Sequence, residues 1–565
     1  MRLQCGAYSL SRGLRAMKAG VAVGLVALGG CMTSSDADVV LTGGLVWAAP
    51  GTDLTGPGAP TAIAISDGRV VAVGSDADIE PYAGDQTRRI ALEGRRVVPG
   101  FMDAHTHFID GGFELSSVQL RDAATQDEFA RRIADFAAQH SDEWVTGGTW
   151  DHELWGGELP HRDWIDRDTP ETPVFVSRLD GHMGLANSRA MELADITAET
   201  PDPQGGTIVR GPDGEPTGVL KDAAMSLVGR AIPDRSEQEL DRALQAAVAH
   251  AVERGVTMIA DMGTWTGHET YRRAHARNDL AIRVYSVIPI STRSRLAEYV
   301  AREGRGDHRL FWGGVKGFVD GSLGSTTAWF YDPYEDDPST TGLMVTDTAE
   351  LRQAILESDA QGFQLIIHAI GDLANDWLLD VFAQARQQNG ERDGRPRIEH
   401  AQHLSVEAIE RFGADGVIPS MQPYHAIDDG RWAGKRIGPE RIKTTYAFRG
   451  LEDANAKTAF GSDWTVAPID PLLGIYAAVT RQTFDGANPD GWVPEQKIAV
   501  EEAVTGYTVN SAYAAFLEND LGTLEPGNYA DLVVLGRDIF TIDPVEIEHV
   551  KVDLTMVEGE IVYER

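Results

Sequence analysis

Cysteine is nearly absent from this sequence of 565 residues, because Cys5 and Cys31 are its only two and both lie within the first 31 positions. The rest of the chain therefore has neither a disulfide framework nor thiolate ligands, and any metal there must be bound by nitrogen and oxygen. Positive charge is also scarce: 50 Lys and Arg residues stand against 86 Asp and Glu residues, giving a formal net charge of −36. Such a surface repels phosphate backbones, which argues against a nucleic-acid partner.

The apolar run near the N-terminus, Ala19 to Gly30, is too short to span a bilayer as a mature helix. Basic residues precede it, and it ends in Leu28-Gly29-Gly30-Cys31, which resembles a bacterial lipobox. We expect residues 1–30 to be a signal peptide and Cys31 to be lipidated. The protein would then be anchored to a membrane of the bacterial cell envelope, on the periplasmic side. An ordinary secretory signal that is cleaved nearby is the alternative.

Short apolar runs with turn signals occur at both ends of the chain, over residues 38–96 and 516–565. Asp67-Gly68 between two such runs is a strong hairpin signal. We expect the two ends to pair into one small β-sandwich beside the main domain. At 565 residues, the chain is longer than one ordinary core usually holds, which is consistent with two structural domains.

The middle of the chain, residues 97–515, alternates short apolar strands with helical stretches, which is typical of parallel βα units. Nine candidate strands compete for the eight positions of a TIM-like (β/α)8 barrel in this α/β fold. They are Val97–Asp103, Pro173–Ser177, Val256–Asp261, Ile282–Ile288, Val315–Val319, Gln364–Ile367, Arg397–Glu399, Val417–Met421 and Lys457–Gly461. We assign the second of them to an insertion after the first barrel strand, over residues 110–235, where Trp, Pro and Gly are frequent.

Metal-binding side chains stand at the carboxyl ends of several predicted strands. His105 and His107 close the first one, and residues two apart on a strand point to the same face, so both can share a metal. His368, His400 and Asp463 end or follow three later strands. Barrel enzymes place their catalytic groups at this end of the strands. Each residue alone is more often structural, but four such strand ends in one chain favour a metal site.

Lys316 lies inside a predicted barrel strand. An unpaired lysine there is costly unless it loses its proton or finds a partner. A salt bridge, for instance to Asp320 or Asp463, is one explanation. N-carboxylation is the other, because it would turn the side chain into an anionic oxygen ligand able to bridge two metal ions.

This order of residues, His-x-His, then Lys, His, His and Asp, resembles the ligand order of the amidohydrolase superfamily on strands one, four, five, six and eight. Local phrases resemble its amidohydrolase-3 branch, which includes N-substituted formamide deformylases. The phrases lie at Pro99–His107, Asp180–His182, Asp320–Ser325, His368–Asp372, Glu399–His400 and Gly461–Trp464. The resemblance extends over residues 38–565, and Asn528 is a departure where the family often has lysine.

The resemblance implies a ligand set made of His105, His107, His368, His400 and Asp463, with Lys316 carboxylated and bridging. One or two zinc ions suit these donors, with manganese or iron as alternatives. The implied reaction is hydrolysis of an amide, N-acyl or N-formyl C–N bond in a small molecule by a metal-activated hydroxide. Asp463 would accept its proton and pass it to the leaving amine.

Four further residues are candidates for the substrate site. His182, in the insertion, would donate to the developing oxyanion or else pack a lid. Gln422 and His425 follow the seventh strand and could face the substrate. Trp150 could line an apolar pocket in the insertion, although tryptophans at such positions are more often part of a core.

Two other functions stay open. A mononuclear deaminase of the same superfamily is the first, but the stretch His368–Asp372 lacks the glutamate that such deaminases carry soon after the third metal histidine. A non-catalytic, exported binding lipoprotein is the second, and retention of all six ligand types counts against it. We expect a small-molecule amide as substrate, contact with the membrane only through the lipid anchor, and a homodimer as one candidate assembly.

Overall fold

The computed structural model describes residues 36–565 except Pro57 and Asp142, so the predicted signal peptide and Cys31 lie outside the described residues. None of the helices described combines the length and the apolar character needed to cross a bilayer. The strands, in chain order, are β1 (Val39–Thr42), β2 (Leu45–Val46), β3 (Ala62–Ser66), β4 (Arg69–Gly74), β5 (Arg88–Ala91), β6 (Arg96–Pro99), β7 (Phe101–Thr106), β8 (Val145–Trp150), β9 (Val174–Arg178), β10 (Met183–Ala186), β11 (Gly206–Arg210), β12 (Pro216–Asp222), β13 (Val256–Asp261), β14 (Arg283–Pro289), β15 (Leu310–Phe318), β16 (Gln364–Ala369), β17 (Arg397–His400), β18 (Ile418–Met421), β19 (Ala459–Phe460), β20 (Leu532–Leu535), β21 (Val552–Val557) and β22 (Glu560–Glu564).

Helices fill most of the connections between these strands. They are α1 (Asp76–Ile79), α2 (Phe108–Glu114), α3 (Gln126–Gln139), α4 (Asp163–Asp166), α5 (Ser188–Leu193), α6 (Met225–Gly229), α7 (Glu237–Val252), α8 (Trp265–Ala276), α9 (Arg293–Glu303), α10 (Thr348–Ala360), α11 (Asp372–Asn389), α12 (Val406–Asp415), α13 (Pro423–Asp429), α14 (Ala433–Arg441), α15 (Phe448–Asp453), α16 (Pro471–Thr480), α17 (Val500–Gly506) and α18 (Val509–Ala514).

Eight parallel strands form a barrel in the order β7, β13, β14, β15, β16, β17, β18 and β19. Two backbone hydrogen bonds close it, from the amide of Asp463 to the carbonyl of His105 (2.7 Å) and from the amide of His107 to the carbonyl of Trp464 (2.7 Å). The predicted TIM-like barrel is confirmed. Its closing seam runs through residues of the expected metal site.

Helix α7, which leads from the insertion back to the barrel, shows how the local sequence fixes such an element. Ser236 and Glu239 form a capping box, in which each side chain accepts a hydrogen bond from the other residue's backbone amide. Leu240, Leu244 and Ala251 recur at helical spacing and are buried. The capped end and this apolar face hold the helix against the barrel.

The first predicted strand, Val97–Asp103, is wrong as a single element. The structure divides it into β6, which belongs to a sheet at the chain ends, and β7, which belongs to the barrel. Gly100 lies at the junction, where a Cβ atom would stand 2.3 Å from Oγ1 of Thr257. The chain therefore passes too close to β13 for a side chain, and the barrel strand starts later and reaches Thr106. His107 is the first residue after it.

Strands from both chain ends form two sheets, with the orders β4-β3-β1-β5 and β2-β6-β20-β21-β22. β6 pairs antiparallel with β20, with Val97 opposite Val534, so the two ends of the described chain are neighbours in one sheet. Asp67 and Gly68 form the predicted hairpin turn between β3 and β4, both with positive φ. A shared cluster of buried side chains draws on both sheets, including Val39, Leu41, Ile63, Ile65, Val97, Leu532, Val534, Leu554 and Met556.

Between β7 and β13, the inserted segment folds around a sheet of its own, in the order β11-β12-β10-β9-β8. The extra candidate strand Pro173–Ser177 corresponds to β9 of this sheet, in agreement with its assignment to the insertion. β9 and β10 are antiparallel neighbours, and the turn between them carries Asp180, Gly181 and His182. Asp180 and His182 of this turn line a pocket together with His400 and Asp463 of the barrel.

Candidate metal centre

His105 is held by a buried carboxylate next to it. Its Nδ1 lies 2.5 Å from Oε2 of Glu399, whose other oxygen accepts a hydrogen bond from Nε of Arg397 (2.8 Å). Burial, together with the positive charge of Lys316, lowers the pKa of His105 to about 4. The imidazole is therefore neutral, and Nε2 is the nitrogen left for a metal.

Asp463 faces both histidines of the first barrel strand. Its Oδ1 lies 3.3 Å from Nε2 of His107 and 3.5 Å from Nε2 of His105, yet this buried oxygen accepts no hydrogen bond among the described residues. The residue has a φ of +58°, a strained value outside glycine, and such strain is common at functional sites. Asp463, His105 and His400 offer ligand atoms that all lie within 4.8 Å of one another.

The remaining two predicted histidine ligands are neighbours, with ring centroids 4.5 Å apart. His400 has its Nδ1 2.8 Å from Oε1 of Gln422, and His368 has its Nε2 3.1 Å from the carbonyl oxygen of Gly321. Nδ1 of His368 is buried without a hydrogen-bond partner among the described residues. In both imidazoles one nitrogen is thus occupied by the protein and the other is left free, as is usual for metal-binding histidines.

Lys316 joins the group from β15, with 4% of its surface exposed. Its Nζ lies 3.1 Å from Nε2 of His105, and within the described part of the chain it forms no ion pair. The salt bridge considered from the sequence is therefore not formed: Asp320 accepts backbone hydrogen bonds instead, including those of Trp329 and Gly371 (both 2.8 Å). Burial lowers the pKa of Lys316 to about 8, so part of the amine is uncharged near neutral pH.

This donor set fits a divalent metal. It offers imidazoles and a carboxylate, and two of its buried atoms, Oδ1 of Asp463 and Nδ1 of His368, lack hydrogen-bond partners in the described structure. Buried polar atoms are rarely left unpaired, and coordination to metal would satisfy each of them. Nitrogen and oxygen donors without thiolate suit zinc and also manganese or iron.

A pocket lies over part of this cluster. His400 and Asp463 line it from the barrel, and His182 lines it from the insertion. Apolar side chains, among them Ile370 and Trp432, form other parts of its wall. The cavity combines candidate metal ligands with apolar surface, which is typical of a site for a small molecule.

Two of the predicted substrate residues are placed elsewhere. Trp150 is wrong as a pocket residue: it is completely buried in the core of the insertion, and its Nε1 donates to the carbonyl of Val176 (2.9 Å). Gln422 is also completely buried, and its side chain bonds to His400 and to the carbonyl of Ser420. Gln422 therefore orients a candidate ligand and does not face the substrate. Trp150 is buried because the core of the insertion is apolar. Gln422 is turned away from the substrate because its amide reaches His400.

His425 and His182, the other two predicted substrate residues, do line the pocket. His425 lines the pocket, and its Nε2 is buried without a hydrogen-bond partner among the described residues. His182 also lines the pocket, with its ring centroid 5.1 Å from that of His368. Both remain candidates for contact with a substrate.

Sequence reasoning missed two carboxylates, Glu399 and Asp222. Glu399 directly precedes His400, and adjacent strand residues ordinarily point to opposite faces. His400 departs from strand geometry with a φ of +73°, so both side chains lie beside His105. An acidic residue next to a predicted ligand was an available signal for Glu399. Asp222 had none, because its partner His182 is 40 residues away in sequence.

A model of the amidohydrolase family matches residues 88–563 of the chain. The chain belongs to the amidohydrolase family. This assignment confirms the predicted superfamily and supports a metal-dependent hydrolase at that level.

Members and structural neighbours of the family resemble the chain over most of its length. Protein LONG AFTER FAR-RED 3 of Arabidopsis thaliana is 42% identical over 519 residues, which cover 89% of this chain and 88% of that protein. N-substituted formamide deformylase of Arthrobacter pascens is 29% identical over 527 residues, 89% of this chain and 95% of the enzyme. The crystal structure of an uncharacterized metal-dependent hydrolase from Pyrococcus horikoshii matches with a TM-score of 0.72 and 28% identity, over 90% of this chain and 99% of that one.

Proposed function

We propose that this amidohydrolase hydrolyses the C–N bond of a small N-acyl or N-formyl amine. The observation that carries the proposal is the convergence of His105, His400 and Asp463, whose ligand atoms lie within 4.8 Å of one another, at a partly apolar pocket. The similarity to an enzyme named for deformylation of N-substituted formamides supports this bond class.

The proposed centre would hold one or two zinc ions. With two, His105, His107 and Asp463 would hold one ion, and His368 and His400 would hold the other. When bound, such ions would polarise the substrate carbonyl and lower the pKa of a water molecule enough for it to attack at neutral pH.

Lys316 would belong to both ligand groups after carboxylation. Its neutral amine attacks CO2, forming an N–C bond and releasing one proton, and the product is an anionic carbamate with two oxygen donors. Burial beside His105, without a carboxylate partner among the described residues, supports this modification. The lowered pKa of the amine acts in the same direction, because only the uncharged form can react.

Asp463 is the proton carrier in this proposal. One of its oxygens is buried without a hydrogen-bond partner in the described structure, and the residue lines the pocket. It accepts the proton of the attacking water and returns it to the nitrogen of the leaving amine, so that no net proton is consumed. His182, which the insertion contributes to the pocket, orients the carbonyl oxygen of the substrate.

The test combines metal analysis with turnover of generic substrates. We expect the purified protein to contain at least one divalent metal per chain and to release amines from a panel of N-formyl and N-acyl amines. His105→Ala should remove metal and activity while the circular dichroism spectrum is retained. His161→Ala is the matched control, because this partly exposed histidine of the insertion faces Asp163 and not the pocket. Well-folded, metal-free and inert wild-type protein would favour the non-catalytic binding module instead.

We also propose that the protein is exported and lipid-anchored through Cys31. The lipobox-like ending of the apolar run supports this location. That segment of the sequence lies outside the described residues. In a Gram-negative expression host, the wild type should be recovered in the membrane fraction, and Cys31→Ala should not be processed to a lipidated form. Recovery of uncleaved wild-type protein from the cytoplasm would contradict the proposal. The homodimer also stays a prediction, which light scattering of the detergent-solubilised protein would test.

A further inference from the structure

The insertion contributes one imidazole to the pocket that is not a candidate metal ligand. His182 lies in the turn between β9 and β10, and 16% of its side chain is exposed. Its ring stands 5.1 Å from that of His368, so it is close to the barrel cluster although no barrel element carries it. The residues that hold the imidazole of His182 determine which of its nitrogens can contact a substrate.

Asp222, the last residue of β12, holds His182 at two points. Its backbone amide donates to the carbonyl of His182 (3.0 Å), and its Oδ1 lies 2.6 Å from Nδ1 of the imidazole. A carboxylate only accepts hydrogen bonds, so Nδ1 carries a proton and donates to it. Nε2 is therefore the nitrogen that His182 has left for the pocket.

Asp222 forms its ion pair with His182. Its side chain is 1% exposed, and His182 is its one ion-pair partner within the described residues. Its second oxygen, Oδ2, is buried and accepts no hydrogen bond there. Asp222 therefore holds the imidazole through this one buried ion-pair contact. Nε2 of His182 is the atom that we assign to the substrate.

The turn itself is fixed against the barrel. Oδ1 of Asp180 accepts from the amide of His182 (3.2 Å), and its Oδ2 accepts from the hydroxyls of Ser322 (2.5 Å) and Ser325 (2.9 Å) in the loop after β15. Gly181 has a φ of +70°, which a residue with a side chain rarely adopts. His182 is thus held by a turn that the barrel loop locks in place.

Gly321 brings Asp222 close to the candidate ligands. A Cβ atom at this position would stand 2.8 Å from Oδ1 of Asp222, and the carbonyl of Gly321 lies 3.1 Å from Nε2 of His368. One stretch of backbone therefore separates the carboxylate from a candidate metal ligand. Asp222 also has a φ of +47°, a strained conformation that the surrounding contacts must maintain.

We infer that Asp222 is a positioning residue that holds His182 with Nε2 directed at the carbonyl oxygen of the substrate. The pair belongs entirely to the insertion, so the insertion supplies a substrate-orienting group beside the candidate metal ligands of the barrel. This inference rests on the proposed amide hydrolysis, because the oxygen that His182 addresses is that of the scissile carbonyl.

Asp222→Asn tests the pair, because it preserves shape and an acceptor for Nδ1 while it removes the charge. We expect kcat to fall about 10- to 100-fold with KM changed less than about 3-fold, since a donor that acts on developing charge affects mainly the transition state. In a His182→Ala background, Asp222→Asn should have no further effect on kcat. Metal content should equal that of the wild type in all three variants. Asp202→Asn is the matched control: it removes a carboxylate from the same insertion, but one that is 49% exposed and bonded to the amide of Ile208.

Two kinetic outcomes would overturn the inference. One is unchanged kcat in Asp222→Asn, and the other is effects of Asp222→Asn and His182→Ala that multiply in the double variant, because independent damage to the fold behaves in that way.

A spectroscopic measurement separates this inference from the proposed function. In protein labelled with 15N-histidine, the short hydrogen bond should give a low-field Nδ1–H proton signal that moves upfield in Asp222→Asn and is lost in His182→Ala. If the wild type hydrolyses none of the amides but shows this signal, the proposed function fails while the pairing of Asp222 with His182 is supported. If the signal is missing, the pairing itself is refuted.

Discussion

The barrel mouth and the insertion both contribute to one pocket, but they hold their residues in different ways. In the barrel, the candidate ligands stand at strand ends whose positions are set by parallel pairing and by the bonds that close the sheet. In the insertion, His182 stands in a turn and is placed by Asp222, Asp180 and a loop of the barrel. Strand ends give fixed positions for metal ligands. The sequence of a turn outside the barrel can vary to suit a different substrate without disturbing those positions.

The largest effect should come from the barrel. Asp463→Asn keeps the size of the side chain but removes its proton-accepting charge, so we expect a loss of at least about 1,000-fold in kcat. Steady-state kinetics with the best amide of the panel would measure it. The loss of kcat should exceed that of Asp222→Asn. Equal losses would contradict the proposal that Asp463 carries the proton and that Asp222 only positions His182.

Lys316→Ala should lower kcat by about 100-fold or more, because one donor shared by both ligand groups is lost. Short carboxylic acids should restore part of the activity, since they can occupy the place of the carbamate. His368→Ala serves as the control, as acids cannot replace its imidazole. If acids fail to rescue Lys316→Ala, the lysine is not carboxylated and a single metal site becomes the better description.

Gln422→Ala tests whether this barrel residue supports a metal ligand or contacts the substrate. We expect metal affinity to fall about 10- to 100-fold with little change in KM, because Gln422 orients His400 and does not contact the pocket. Competition with a chromogenic chelator would measure the affinity. A raised KM at full metal occupancy would restore Gln422 as a substrate residue.

The smallest effect on turnover should come from the core of the insertion. Trp150→Phe removes the hydrogen bond to Val176 and part of a buried ring, and we expect a loss of about 1–2 kcal/mol in stability. The kcat of the folded enzyme should stay within about 2-fold of the wild type, as Trp150 does not line the pocket. Urea unfolding and kinetics on the same samples provide the check. A large drop in kcat without loss of stability would show that the core of the insertion does affect the site.

Prediction from the sequence was more successful for the barrel than for its surroundings. Strand ends carrying His368, His400 and Asp463 were recognisable because a short apolar run followed by a polar residue is a local pattern. The division at Gly100 was not, since it depends on how closely β13 approaches. The orienting role of Gln422 was missed for the same reason, and the choice between pocket and core for Trp150 could not be made: both positions are set by neighbours distant in sequence.

The sequence by itself determined the family, the order of the six candidate ligands and the barrel class, because these follow from local apolar periodicity and from motifs of a few residues. Only the tertiary structure decided which nitrogen of His368 and of His400 is free, which side chains face the pocket, and that Asp222 holds His182 across 40 residues of chain. Hydrogen bonds between distant residues depend on distances of a few tenths of an ångström, and no pattern along the chain encodes such distances.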